Sequence, residues 1–169
     1  IEALTVVDLL RRADIEVDMV SITGNKRVPG SHGITTICDK LIETVNFDSA
    51  DMLVLPGGMP GTLNLGLCEM LMDQVHGFNV SKKGLAAICA APTVFGKAGL
   101  LDGKKATCYP GMEKDLKGAE VSYDEVCHDG HIITSRGLGT AIPFALEIVK
   151  TLTSAEKAEE LAKKIVYKS

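Results

Sequence analysis

Short apolar runs that stop at a glycine or a small residue and then give way to helical periodicity recur along this chain. That alternation admits few architectures. Asp51 to Leu55 is one such run, halted by Pro56-Gly57-Gly58 and followed by a helical pattern from about Leu63 to Gly77. Gly84 to Ile88 is another. It turns sharply at Cys89 and enters a helix from Pro92, a residue well tolerated in a first helical turn. Runs apolar throughout suit strands covered on both faces, and strands alternating with helices predict a doubly wound parallel sheet.

The flanking regions fill in the pattern. Apolar Ile1, Leu4, Val7, Leu9 and Leu10 open the chain as a helix, and Ile15 to Ile22 alternates as a strand would before Gly24-Asn25 breaks it. Residues 26–38 carry short extended pieces around Pro29-Gly30 and Gly33, and Ile42 to Phe47 suits a turn of helix. Lys105 to Tyr109, Glu120 to Val121 and Glu125 to His128 read as short strands, and Asp129-Gly130 as a two-residue hairpin turn leading to His131 to Ser135. Gly137-Leu138-Gly139 opens a helix over Thr140 to Leu152 with Ala141, Phe144, Ala145 and Ile148 on one face. Ser154 caps a last helix to about Val166. The 169 residues suit one domain, 1–169, large enough for a continuous core. A helix opening an α/β domain normally follows a strand, and the first residue is Ile1 rather than Met, so a preceding segment is expected to be absent from this sequence.

Composition excludes several function classes. The formal charge of -4 and pI near 5.6 supply no basic field for nucleic acid. Five scattered cysteines without a CxxC pair imply free thiols in a reducing, cytoplasmic setting, and no run approaches the roughly 18 apolar residues of a membrane span. Gly57 to Gly61 lacks the Lys and Ser/Thr of a P-loop, and Gly137-Leu138-Gly139 lacks the third glycine of a dinucleotide fingerprint. His128 and His131, set opposite each other by an Asp129-Gly130 turn, supply only two good ligands, so a plain hairpin is favoured over a metal site. No metal and no cofactor is expected. His32 and His76 read as exposed, and Cys38, Cys68 and Cys108 as packing residues.

In open parallel sheets the binding crevice lies beyond the carboxyl ends of the strands. Three places follow such ends here: Gly57-Gly58, Cys89, and Arg136 to Gly139. A cysteine between a buried strand and a helix sits among unpaired amides that favour its thiolate, which makes it a nucleophile. Small flanks at Ala86, Ala87, Ala90 and Ala91 admit the tight turn, and Gly57 and Gly58 let a second amide approach, together forming a hole for an oxyanion. A small buried hydrophobe is the competing account of Cys89, and on position alone the two are evenly matched. Arg136 suits an anionic substrate, a dimer partner or a structural ion pair.

Ala86-Ala87-Ile88-Cys89-Ala90-Ala91-Pro92, preceded by Val54-Leu55-Pro56-Gly57-Gly58 and followed by Thr134-Ser135-Arg136-Gly137-Leu138-Gly139-Thr140, resembles the ThiJ/PfpI superfamily. Within it the chain is most similar to the branch of the Parkinsonism-associated protein deglycase and its bacterial relatives, and Ile1-Glu2-Ala3 with Val6 to Ala13 fits that branch's first helix. The resemblance implies a flavodoxin-like three-layer sandwich around a mostly parallel sheet, usually a homodimer, with the family's first strand missing from this chain. It also implies a reactive elbow cysteine at Cys89. A glutamate whose protonated carboxyl hydrogen-bonds the sulfur falls on Glu2, and the oxyanion amides fall on Gly58 and Ala90.

Two departures bear on the chemistry. Many relatives carry a histidine where this chain has Tyr109, a poor base at neutral pH, and the protease-like branch has histidine directly after the nucleophile, where this chain has Ala90. Cys-His peptidase activity is therefore not expected. The resemblance implies a cofactor-independent glyoxalase or deglycase acting on a small reactive carbonyl such as methylglyoxal or its protein adducts. The alternative is an oxidative-stress sensor or redox-regulated chaperone in which peroxide converts Cys89 to a sulfinate.

Overall fold

The computed structural model describes residues 1–167. In chain order the elements are α1 (Glu2–Arg12), β1 (Val20–Ser21), β2 (Arg27–Pro29), β3 (Thr35–Ile37), β4 (Lys40–Leu41), β5 (Met52–Leu55), α2 (Gly61–Leu67) and α3 (Glu69–Ser81). There follow β6 (Gly84–Ile88), α4 (Pro92–Lys97), β7 (Lys105–Ala106), β8 (Glu120–Val121), β9 (Val126–Asp129), β10 (Ile132–Ser135), α5 (Ala141–Leu152) and α6 (Ala155–Lys164). The central sheet has the order β5-β6-β10-β9, the first three strands parallel and β9 antiparallel. Small pairs β1-β4, β2-β3 and β7-β8 flank it.

The period-two geometry of β6 explains the three layers. Leu85 and Ala87 face α3 and α4, where Leu71, Val75, Phe78, Val94 and Phe95 close one core. Ala86 and Ile88 face the other way, onto Val6, Leu9 and Leu10 of α1 and Phe144, Ala145 and Ile148 of α5. With both faces covered, a strand of continuous apolar residues is stable, and each fully buried large side chain contributes about 1.5–3 kcal/mol. This is the flavodoxin-like sandwich expected from the motifs. No helix among the described residues is long and apolar enough to cross a membrane.

Four local expectations are corrected. The helix expected over Leu63 to Gly77 is two helices, because Cys68 takes extended backbone (φ -80°, ψ 99°) and lets α3 turn Leu71, Val75 and Phe78 inward. Of the strand expected over Ile15 to Ile22, only Val20–Ser21 forms a ladder. Its partner begins where Asp39 and Lys40 N–H groups both donate to the Met19 carbonyl. The strand expected over Lys105 to Tyr109 stops at Ala106, since the buried Thr107 N–H donates to the Thr134 hydroxyl (3.0 Å) instead of to a neighbouring backbone. In the β9-β10 hairpin Asp129 pairs with Ile132, so the turn residues are Gly130 and His131, one position later than expected. His128 then bonds Glu147 on α5 (2.8 Å), whereas His131 bonds Asn79 on α3 (2.9 Å), which sends the two imidazoles to opposite layers.

Candidate active site

Cys89 stands at the carboxyl end of β6 with φ of 65°, a left-handed conformation seldom adopted by a residue with a side chain. The strain is held in place by backbone on both sides: Cys89 N–H donates to the Ser135 carbonyl (2.9 Å), and its own carbonyl accepts from Tyr109 N–H (2.7 Å). The result is an elbow that lifts the sulfur out of the sheet. Cys89 is half-buried and borders the apolar core under α1 and α5, yet it also lines an open cavity of about 370 Å³ with Gly58, Met59, Ala90, Tyr109, Pro110 and Met112.

Three polar groups converge on the sulfur. Glu2, in the first turn of α1, hydrogen-bonds it with its carboxyl, and the N–H groups of Gly58 and Ala90 both donate to it. The Ala90 carbonyl is occupied by Thr93 through its N–H (3.1 Å) and hydroxyl (2.7 Å), which anchors the turn that presents the amide. Gly58 adopts φ of 88°, a conformation that favours glycine, and so turns its N–H toward the elbow. Gly57 serves a different need. Its N–H donates to Glu2 Oε2 (3.0 Å), and a Cβ added there would lie 2.6 Å from both Cys89 Cβ and the Ile88 carbonyl oxygen.

The electrostatics qualify the thiolate expected from the turn amides. Burial first, and then the charge and hydrogen bond of Glu2, push the Cys89 thiol up to about 11, while the Ala90 and Gly58 amides pull the other way. With Glu2 ionised the proton therefore rests on sulfur. If that proton crosses the hydrogen bond to Glu2, the carboxyl O–H and two N–H groups all donate to a sulfur anion. The position of the thiol proton thus decides whether the sulfur is nucleophilic. Cys108 is pushed up to about 12, chiefly by burial, and Cys127 is raised for the same reason, in keeping with packing roles. The five cysteines are free.

Glu2, Gly57, Gly58, Cys89, Ala90 and Tyr109, all marked in the sequence, meet at this one place. Arg136 lies one chamber away, in a cavity of about 430 Å³ that shares Tyr109 and Pro110 with the first. Gly137, marked in the sequence only as part of the crevice segment Arg136 to Gly139, also adjoins the sulfur: a Cβ there would sit 3.9 Å from Cys89 Sγ and 3.5 Å from the Tyr109 ring. It is held against the elbow by Thr140, whose hydroxyl accepts from Gly137 N–H (3.0 Å) and donates to the Gly137 carbonyl (2.9 Å). Its glycine-rich context after a strand was the available signal. Met59 and Met112 also line the thiol cavity, and only Met59, beside Gly58, had a positional clue.

Comparison with known proteins identifies the family. The DJ-1/PfpI family model matches residues 1–151. The chain is 38% identical over 164 residues to Protein dj-1beta of Drosophila melanogaster, covering 96% of this chain and 88% of that protein. It is 39% identical over 169 residues to Protein DJ-1 homolog B of Arabidopsis thaliana, but spans only 39% of that longer protein. Among solved structures it resembles oxidized Toxoplasma gondii DJ-1 with a TM-score of 0.95 and 34% identity, covering 99% of this chain and 92% of that one. By fold and by sequence over most of its length, the chain belongs to the DJ-1/PfpI family.

Proposed function

We propose that the protein is a cysteine-dependent glyoxalase or deglycase that acts on small reactive carbonyls such as methylglyoxal or their adducts on proteins. The observation that carries this reading is the convergence of the Glu2 carboxyl and the Gly58 and Ala90 amides on Cys89 Sγ. As the thiol proton passes to Glu2, sulfur adds to the aldehyde carbon and the carbonyl electron pair moves to oxygen. The amides beside the sulfur suit that oxyanion. Glu2 then returns the proton, giving a hemithioacetal. The hydrogen on the attacked carbon leaves as a proton and is redelivered to the neighbouring carbonyl carbon, with Glu2 the carboxyl closest to the path. The product is a lactoyl thioester, which water hydrolyses to lactate and free thiol. The sum is methylglyoxal plus water, so the route calls for no cofactor. Tyr109 and Arg136 line the path by which the substrate enters.

Wild-type protein is expected to form lactate from methylglyoxal and Cys89→Ala to form none above the uncatalysed rate, measured by chiral chromatography of the product. Equal rates in the two would remove the enzymatic reading. The same three donors favour one second reading, oxidation of Cys89 by two equivalents of peroxide to a sulfinate with release of two waters. A similar solved structure is described as oxidized. Mass spectrometry after mild peroxide that found oxygen first on Cys108 or Cys127 would count against it. We also infer a second copy of the chain as partner, since Ile34 (64% exposed) and Ile37 (61% exposed) leave the β2-β3 hairpin apolar and open.

A further inference from the structure

The cavity at Cys89 and the cavity at Arg136 adjoin. Tyr109 and Pro110 line both, and Gly137, packed beside both Cys89 Sγ and the Tyr109 ring, is the next residue to Arg136. The far chamber is walled by the Tyr109 and Tyr123 rings and by Leu138, surfaces suited to methylene groups. At its side stands a cation with spare donors. The Arg136 guanidinium lies 5.7 Å from the centre of the Tyr123 ring, its Nη1 donates to the Tyr123 carbonyl at a long 3.3 Å, and its buried Nε has no partner. No ion pair holds it among the described residues. Glu125 lines the same chamber.

A guanidinium is the side chain best matched to a carboxylate, which it grips with two parallel N–H donors. We propose that the two chambers form one groove for a reactive carbonyl compound that also carries a carboxylate, with the carbonyl carbon at Cys89 and the carboxylate on Arg136. Arg136 is then a specificity-determining residue. The covalent step rests on the reading above: Cys89 sulfur bonds to the aldehyde carbon, its proton passes through Glu2 to the carbonyl oxygen, and nothing leaves. The carboxylate takes no part in the bond changes and acts only as a handle.

Two measurements test the groove apart from the reaction. In the first, 4-oxopentanoate and its neutral amide, neither of which has an aldehyde to transform, are compared as protectants of Cys89 against iodoacetamide. Wild type is expected to be half-protected at about tenfold lower acid than amide. Arg136→Gln is expected to lose that preference, and Arg136→Lys to keep part of it. Equal protection by acid and amide in wild type, or a preference retained in Arg136→Gln, overturns the proposal. In the second, 4,5-dioxopentanoate is compared with methylglyoxal as substrate, the expected gain being about tenfold in kcat/KM, seated in KM and lost in Arg136→Gln. Equal losses on both substrates would assign Arg136 a structural role and overturn the proposal. Turnover of methylglyoxal without any acid preference removes the groove alone. An acid preference in protection without turnover of either compound removes the glyoxalase reading and leaves the groove standing.

Discussion

Glu2 and Gly57 show how narrow the tolerances are around the sulfur. The Glu2 charge raises the Cys89 thiol, so Glu2→Gln removes a negative neighbour and is expected to lower the midpoint of Cys89 alkylation from about 11 toward the ordinary thiol range. Lactate formation should nevertheless fall, by about 10²-fold or more, because the group that accepts and returns the proton is gone. Alkylation rates against pH together with product assays check both halves, and a midpoint that rose would mean that Glu2 is a net donor to a resting thiolate. Gly57→Ala acts through space. Its Cβ would press on Cys89 Cβ, on the immobile Ile88 carbonyl, and on Glu2 Oε2 at 2.7 Å. A stability loss of about 1–3 kcal/mol in urea unfolding is expected. Activity should fall further than stability, since the clash displaces Glu2 from the sulfur.

Each element contributes to the site through its ends. β6 delivers Cys89 at its carboxyl terminus, β5 delivers Gly57-Gly58 from the next strand, and β10 delivers Arg136-Gly137 from the other side, all at one edge of a parallel array. α1 brings Glu2 across the top because Val6, Leu9 and Leu10 are anchored on the sheet. α5 forms much of the layer against which α1 lies, and α6 braces α5, starting from Ser154, whose hydroxyl accepts from Lys157 N–H at 3.2 Å. Ser154→Ala is expected to cost about 1 kcal/mol in urea unfolding with an unchanged slope. It should leave the Cys89 alkylation profile in place, because this cap lies far along the chain from the elbow. A large change in that profile would show that α6 positions the site.

For the whole molecule, an open apolar hairpin on a chain of net charge -4 is the feature that a second copy would cover. Sedimentation equilibrium is expected to give about twice the 17.9 kDa chain mass. Ile34→Lys with Ile37→Lys should shift that mass toward the monomer while leaving the far-UV circular dichroism unchanged. A wild-type monomer at all concentrations would leave those side chains without the partner inferred for them.

Local pattern was sufficient for the layers and for the elbow. Continuous apolar runs ending in Gly57-Gly58 and Cys89 carry their own strand-turn signal, and the inward face of α5 follows from the spacing of Ala141, Phe144, Ala145 and Ile148, all buried. The amino-acid order also marked Glu2, through its resemblance to relatives, as the acid beside the sulfur. It did not reveal the break at Cys68, the early end of β7, or the one-residue shift of the Gly130-His131 turn. Those depend on which distant group captures a backbone amide or covers a helix face. The charge state of Cys89 belongs to the same class. Turn amides can be read along the chain, whereas burial and a carboxylate 87 positions away act only once α1 has packed against the sheet, and together they outweigh the amides and keep the proton on sulfur. The meeting of the Cys89 and Arg136 chambers on either side of Tyr109 likewise required three segments to come together in space.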